Sequence, residues 1–171
     1  MTATYLNALG VTCSLGQGKA AVATALFDGD EQGLRVLDGW VPDHALPLGE
    51  VRAALPEVTP DRDTRNNRLL KQAVEEIRAD IDAAIARFGA ERIGIVIGTS
   101  TTGIEEATGH IATRGRDGAW PASYRYADQE LGAPAESLAE WLGVAGPCYG
   151  ISTACTSGAR ALLSAQRMLR L

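Results

Sequence analysis

Ile151-Ser152-Thr153-Ala154-Cys155-Thr156-Ser157-Gly158-Ala159-Arg160 puts a cysteine where a short apolar strand gives way to a long amphipathic helix. At a helix N-terminus the backbone N–H groups lack partners and the macrodipole is positive, which favours a thiolate over a thiol. The same groups can stabilise an oxyanion when a sulfur attacks an acyl carbonyl. Cys155 is therefore the candidate nucleophile. The small residues around it suit a tight turn that a thioester must approach closely.

Outward from this turn, strands and helices alternate. Residues 3 to 9 read as a mostly apolar first strand, and Ala20, Val22, Ala25 and Leu26 as a short helix that ends at the Asp28-Gly-Asp turn. Residues 33 to 60 carry four prolines and read as a second strand followed by a loop. The clearest periodicity runs from Arg65 to Phe88, with Leu70, Val74, Ile77, Ile81 and Ile85 on one stripe, and it predicts one helix closed by Gly89. Ile93 to Ile97 is a continuous apolar run of the kind buried on both faces of a sheet. A further helix is marked by Pro134 and closed by Gly143. The alternation predicts an α/β layered architecture, with no internal repeat.

Composition narrows the classes of function. The 171 residues are 46% hydrophobic and 22% charged, enough for one sizeable core. A net charge of −5 argues against nucleic acid as a main partner, since phosphate binding needs a concentrated positive field. No apolar run approaches the roughly 18 to 20 residues that span a bilayer, and no basic leader opens the chain. The expectation is a cytoplasmic protein with no membrane partner. Three cysteines without zinc spacing fit a reducing compartment, with Cys13 and Cys148 as small core residues. His44 and His110 are isolated, so no metal site is expected.

Gly146, Ile151, Ala154, Cys155, Thr156, Ser157, Gly158 and Leu162 fall at the spacing of the active-site signature of beta-ketoacyl-acyl-carrier-protein synthases, and the chain resembles that family. Tyr5-Leu-Asn-Ala-Leu-Gly-Val-Thr-Cys-Ser-Leu-Gly looks like the family's first strand and its exit, and Arg92-Ile-Gly-Ile-Val-Ile-Gly-Thr-Ser-Thr-Thr-Gly like its central strand and loop. The resemblance implies a thiolase-like fold, α/β/α/β/α in five layers, of which residues 1–171 are most of the N-terminal half, an N-terminal domain incomplete at its C-terminal end. It implies that Cys155 takes an acyl group as a thioester and that malonyl-carrier protein loses carbon dioxide and attacks it. The implied partners are acyl carrier protein, in acyl and malonyl forms, and a second synthase subunit in a homodimer or heterodimer. No cofactor is implied. The family's two histidines, lysine and second oxyanion donor come from its C-terminal half, and His44 and His110 match no family motif.

Several further expectations follow. The sequence stops at Leu171 inside the helix that Cys155 begins, which leaves an open sheet edge and predicts poor solubility of these residues alone. By resemblance, residues 109 to 133 lie near a subunit contact. Gly94, Gly98 and Gly103 lack a following Gly-Lys-Ser/Thr and read as close packing rather than a phosphate cradle. Ser100 and Ser157 stand outside Gly-x-Ser-x-Gly, against a serine hydrolase. Arg62, Arg65 and Arg68, or Arg114 and Arg116, could dock an acidic carrier or simply be solvated. The rival functions are a non-catalytic partner subunit, in which the resemblance implies replacement of the cysteine, a truncated fragment, and a thiolase, which works on coenzyme A. Fatty acid, polyketide and aryl-polyene pathways all use such enzymes, and Arg65-Asn-Asn-Arg-Leu-Leu resembles the last group.

Overall fold

A computed structural model of the protein describes residues 3–29 and 33–170. Two short antiparallel strands, β1 (Thr12–Cys13) and β2 (Gly16–Gln17), lead into α1 (Lys19–Phe27). The helix closes at Gly29, whose φ of 69° is one that glycine adopts at no steric cost. Asp30, the last residue of the predicted turn, lies outside the described residues, as does Leu171.

Residues 33 to 60 hold two strands rather than one, and the expected loop follows them over residues 50 to 59. β3 (Leu34–Val41) and β4 (His44–Gly49) form an antiparallel hairpin, with Leu34 opposite Gly49 and Leu37 opposite Leu46. The hairpin accommodates two of the four prolines, while Pro56 lies in the loop and Pro60 opens a 3-10 turn. Pro42 sits in the turn beside Asp43, whose φ is 60°, and Pro47 lies on a strand with no second neighbour among the described residues.

The predicted long helix is two helices, α2 (Arg65–Glu75) and α3 (Arg78–Phe88). Thr64 caps α2 by accepting from the Asn67 N–H at 3.2 Å. At the break the Ile77 N–H donates to Val74 O, a bond three residues back that tightens the turn. The Glu76 carboxylate there accepts the Val11 N–H at 3.2 Å, tying the break to the N-terminal segment. Because only one turn is altered, the apolar stripe continues across it: Leu70, Val74, Ile81 and Ile85 all pack on one core cluster.

That cluster is Ile95, Ala135, Leu138, Leu142 and Val144, contributed by β5 (Ile95–Gly98), by α5 (Ala133–Leu142) and by the turn after α5. Gly143, with a φ of 67°, ends α5 as predicted. Between β5 and α5 lies α4 (Ile104–Asp117), ended by Gly118 in the left-handed region. The predicted strand over residues 93 to 97 begins two residues later than expected, because a 3-10 turn at Ala90–Arg92 precedes it. β6 (Cys148–Ile151) joins β5 as a parallel pair, Ile95 opposite Cys148 and Gly98 opposite Ile151, and leads to α6 (Ser157–Met168).

The predicted first strand is not formed. Residues 3 to 9 have no regular secondary structure and are exposed, and no strand among the described residues pairs with them. Apolar alternation makes a strand only where a partner strand is engaged.

Candidate active site around Cys155

The β5–β6 register brings the exits of both strands side by side, and the Thr99 N–H continues the pairing by donating to Ile151 O at 3.1 Å. Cys155 sits on the β6 exit, exposed, two residues before α6 begins. Ala154 precedes it with a φ of 52°, in the left-handed region that residues bearing a Cβ seldom occupy.

The turn is closed by its own side chains. The Ser157 hydroxyl accepts the Thr153 N–H at 2.9 Å and donates to Ala154 O at 2.7 Å. Thr156 donates its hydroxyl to Thr153 O at 2.8 Å. The N–H groups of Thr156 and Ser157 go to Thr153 O and Ala154 O, at 3.2 and 3.1 Å. The expectation that the N–H groups at this helix end stand unpaired thus fails for the two that follow the cysteine. The turn consumes them.

Gly98 is what allows α6 to begin so close to β5: a Cβ there would collide with the Ser157 carbonyl. At Gly94 it would meet Met168 at 2.8 Å, and at Gly103 Thr64 at 2.8 Å, so all three glycines serve close packing. Farther along α6, Tyr149 on β6 shares a 2.6 Å hydrogen bond with Ser164 and donates to Met168 Sδ, fixing the helix against the strand.

The family described as beta-ketoacyl synthase, N-terminal domain, matches residues 49–171, a span that contains this whole turn. The chain belongs to the beta-ketoacyl synthase family. Among solved structures, that of the ketosynthase ApeO in complex with its chain length factor ApeC, from Xenorhabdus doucetiae, matches with a TM-score of 0.89 at 37% identity, over 97% of this chain and 43% of the matched one. A beta-ketoacyl synthase from Burkholderia phymatum STM815 matches with a TM-score of 0.66 at 19% identity, over 93% of this chain and 41% of that one, a likeness of fold. The expected thiolase-like α/β fold is therefore the one present, and the chain spans less than half the length of either structure. None of the curated proteins compared with it matches.

Placed in this synthase domain, the other candidate residues separate clearly. Cys148 is half-buried beside the core, where burial above all pushes its thiol up from the ordinary value, and Cys13 is half-buried in β1. His44 Nδ1 bonds Pro42 O, and His110 bonds Ser123 at 3.1 Å while meeting Tyr124 edge-on. Among the described residues no group of three His, Cys, Asp or Glu side chains could hold a metal, and no helix is long and apolar enough to cross a membrane.

The first arginine group is largely engaged within the domain. Arg62 forks onto Glu140, at 3.2 and 2.6 Å, and reaches Glu136 at 3.5 Å, while Arg68 pairs with Asp63. The hydrogen bond to Arg68 holds the Asp63 carboxyl below the usual range. Arg65 reaches Val51 O at 3.3 Å. In the second group Arg114 stacks over Trp120 and Arg116 reaches Thr113.

The best-formed cleft, about 370 Å3, lies elsewhere, between α2, α5 and residues 57–59, with Asn67, Lys71, Leu138 and Trp141 in its walls. It shares no lining residue with the Cys155 turn, so the exposed sulfur marks the chemistry better than the cleft does. Sequence reading gave Ser157 no part in holding this turn. The available signal was a hydroxyl at the first position of a helix, where serine bonds back to nearby backbone.

Proposed function

We propose that the protein carrying this chain is a 3-oxoacyl-[acyl-carrier-protein] synthase, a cytoplasmic acyltransferase, and that residues 1–171 are its N-terminal domain, incomplete at the C-terminal end. The observation that carries this reading is an exposed cysteine on a strained strand-to-helix turn in a chain of the beta-ketoacyl synthase family.

On this reading the Cys155 thiolate attacks the carbonyl of an acyl-carrier thioester. The new C–S bond forms as the carrier thiolate leaves, and a proton returns to the carrier. Malonyl-carrier then loses carbon dioxide, and its α-carbon attacks the acyl-cysteine carbonyl. A C–C bond forms, and the Cys155 sulfur leaves as thiolate. The backbone N–H of Cys155 contributes to the oxyanion hole, the N–H groups of Thr156 and Ser157 being engaged in the turn. The partners are acyl carrier protein and a second synthase subunit.

The test is acylation of the natural polypeptide by an acyl-carrier protein, mapped to peptide level, in parallel with Cys155→Ala. Acyl mass on the Cys155 peptide, with condensation abolished in a folded alanine variant, is the expected result. Undiminished product from that variant refutes the assignment. Cys155→Gln is expected to retain malonyl decarboxylation without elongation, and unchanged elongation would refute the cysteine's role.

A second reading, a non-condensing partner subunit, has one observation in its favour: the similar Xenorhabdus doucetiae structure is a complex of a ketosynthase with a chain length factor. The same experiment separates the two, because a non-condensing partner takes no acyl group on Cys155.

A further inference from the structure

We infer that Ser157 is a positioning residue for Cys155, the clamp that holds the sulfur in its attacking direction. The inference rests on the reading of Cys155 as acyl acceptor. Only 4% of the Ser157 surface is exposed, yet its hydroxyl is fully used: it accepts from the Thr153 N–H and donates to Ala154 O, on the two residues that precede the cysteine. The Ser157 N–H reaches Ala154 O as well, so one residue grips the turn at three points.

What it grips is a conformation that does not hold itself. A left-handed alanine persists where its surroundings over-determine it. The side chains of Thr153 and Thr156 are also bonded within the turn, but both are exposed and the Thr156 hydroxyl reaches only Thr153. Ser157 alone ties the left-handed residue to the first turn of α6, and Gly98 presses on its carbonyl from behind. Removing the hydroxyl leaves the Thr153 N–H without its partner and lets Ala154 relax toward negative φ. That rotation swings the Cys155 side chain, while the sulfur stays exposed.

A thiol that is accessible but misaimed behaves differently toward two reagents. Iodoacetamide is small and approaches from many directions. An acyl thioester must meet the sulfur along one line, with its carbonyl in the oxyanion hole. The test compares Ser157→Ala and Ser157→Thr with the unaltered natural polypeptide. Two rates at Cys155 are measured: single-turnover acylation by an acyl N-acetylcysteamine thioester and alkylation by iodoacetamide, each across pH. The alanine variant is expected to lose roughly 10- to 100-fold in acylation, with alkylation within about 3-fold and its pH profile unmoved. Threonine, which keeps the hydroxyl, restores most of the acylation. Full-rate acylation of the alanine variant, or an equal fall in both reactions that threonine does not repair, overturns the inference. If the unaltered protein takes no acyl group at Cys155, it is the underlying reading that fails, and the inference with it.

Discussion

At the scale of single residues, thiol environment separates Cys155 from Cys148. Cys155 is open to reagents, whereas Cys148 is half-buried with its thiol pushed up. A raised thiol value means less thiolate at any pH below it, so Cys148 begins to react only as the solution becomes alkaline. In peptide-mapped alkylation near pH 7.5, Cys155 is expected to be modified at least roughly 10-fold faster than Cys148. Comparable rates would show that the strand bearing Cys148 opens readily. Gly98→Ala tests the fit behind the Cys155 turn, since the added Cβ meets the Ser157 carbonyl. The expected cost is about 1–3 kcal/mol in urea unfolding, with slower acylation of Cys155. A variant of full stability would mean that α6 shifts away without penalty. The cysteine turn itself was legible in the sequence, because small residues around a cysteine at a strand-to-helix boundary leave few alternatives. The clamp was not, because its hydrogen bonds depend on a left-handed Ala154 that composition cannot reveal.

At the scale of elements, the Arg62 fork ties the 3-10 turn at Pro60–Arg62 to α5. Both glutamates are more than half exposed, so solvent discounts the pair, and Arg62→Ala is expected to cost about 1 kcal/mol. Arg62→Lys should recover less than half of that, since an ammonium lacks the guanidinium's two-pronged geometry. Equal denaturation midpoints for all three proteins would remove the fork as a stabilising feature. The Asp63 carboxyl, held low by Arg68, adds a pH dependence. Its contribution is complete above the ordinary carboxylate value and is lost as pH falls through the lowered one, so Asp63→Asn should flatten the acid limb of the stability curve. An acid limb of unchanged slope would contradict this. Helices α2 and α3 were legible because a 3.6-residue stripe survives the single tightened turn at Ile77, whereas α4 was not, its glycines and arginines reading as a connecting stretch. The hairpin was not: Pro42 and Pro47 carry the composition of a loop, and only the edge position of Pro47 reconciles it with a strand.

At the scale of the whole molecule, apolar side chains stand in solvent: Tyr5 is 76% exposed, Leu6 79%, Phe27 85% and Leu169 75%. Surface of this kind associates. A polypeptide of residues 1–171 alone is expected to form oligomers or aggregates at micromolar concentration in sedimentation velocity, and a clean 18.0 kDa monomer would contradict this. The α/β class was legible from the alternation of elements, but the first strand failed for a reason that belongs to this scale, since a strand is a property of two segments and residues 3 to 9 pair with no second one among the described residues.

The parallel pairing of β5 with β6 also orders events in time. The two strands are separated in the chain by α4 and α5, so the segment between them must loop back before their register can form. Contacts of such long sequence separation carry a loop-closure cost that slows folding. On a growing polypeptide, Cys155 emerges after β5 but before Ser157 and α6, so its turn can be held only once the residues that follow it are also made. The turn that carries Cys155 is thus completed from both sides, by a strand made early and a helix made late.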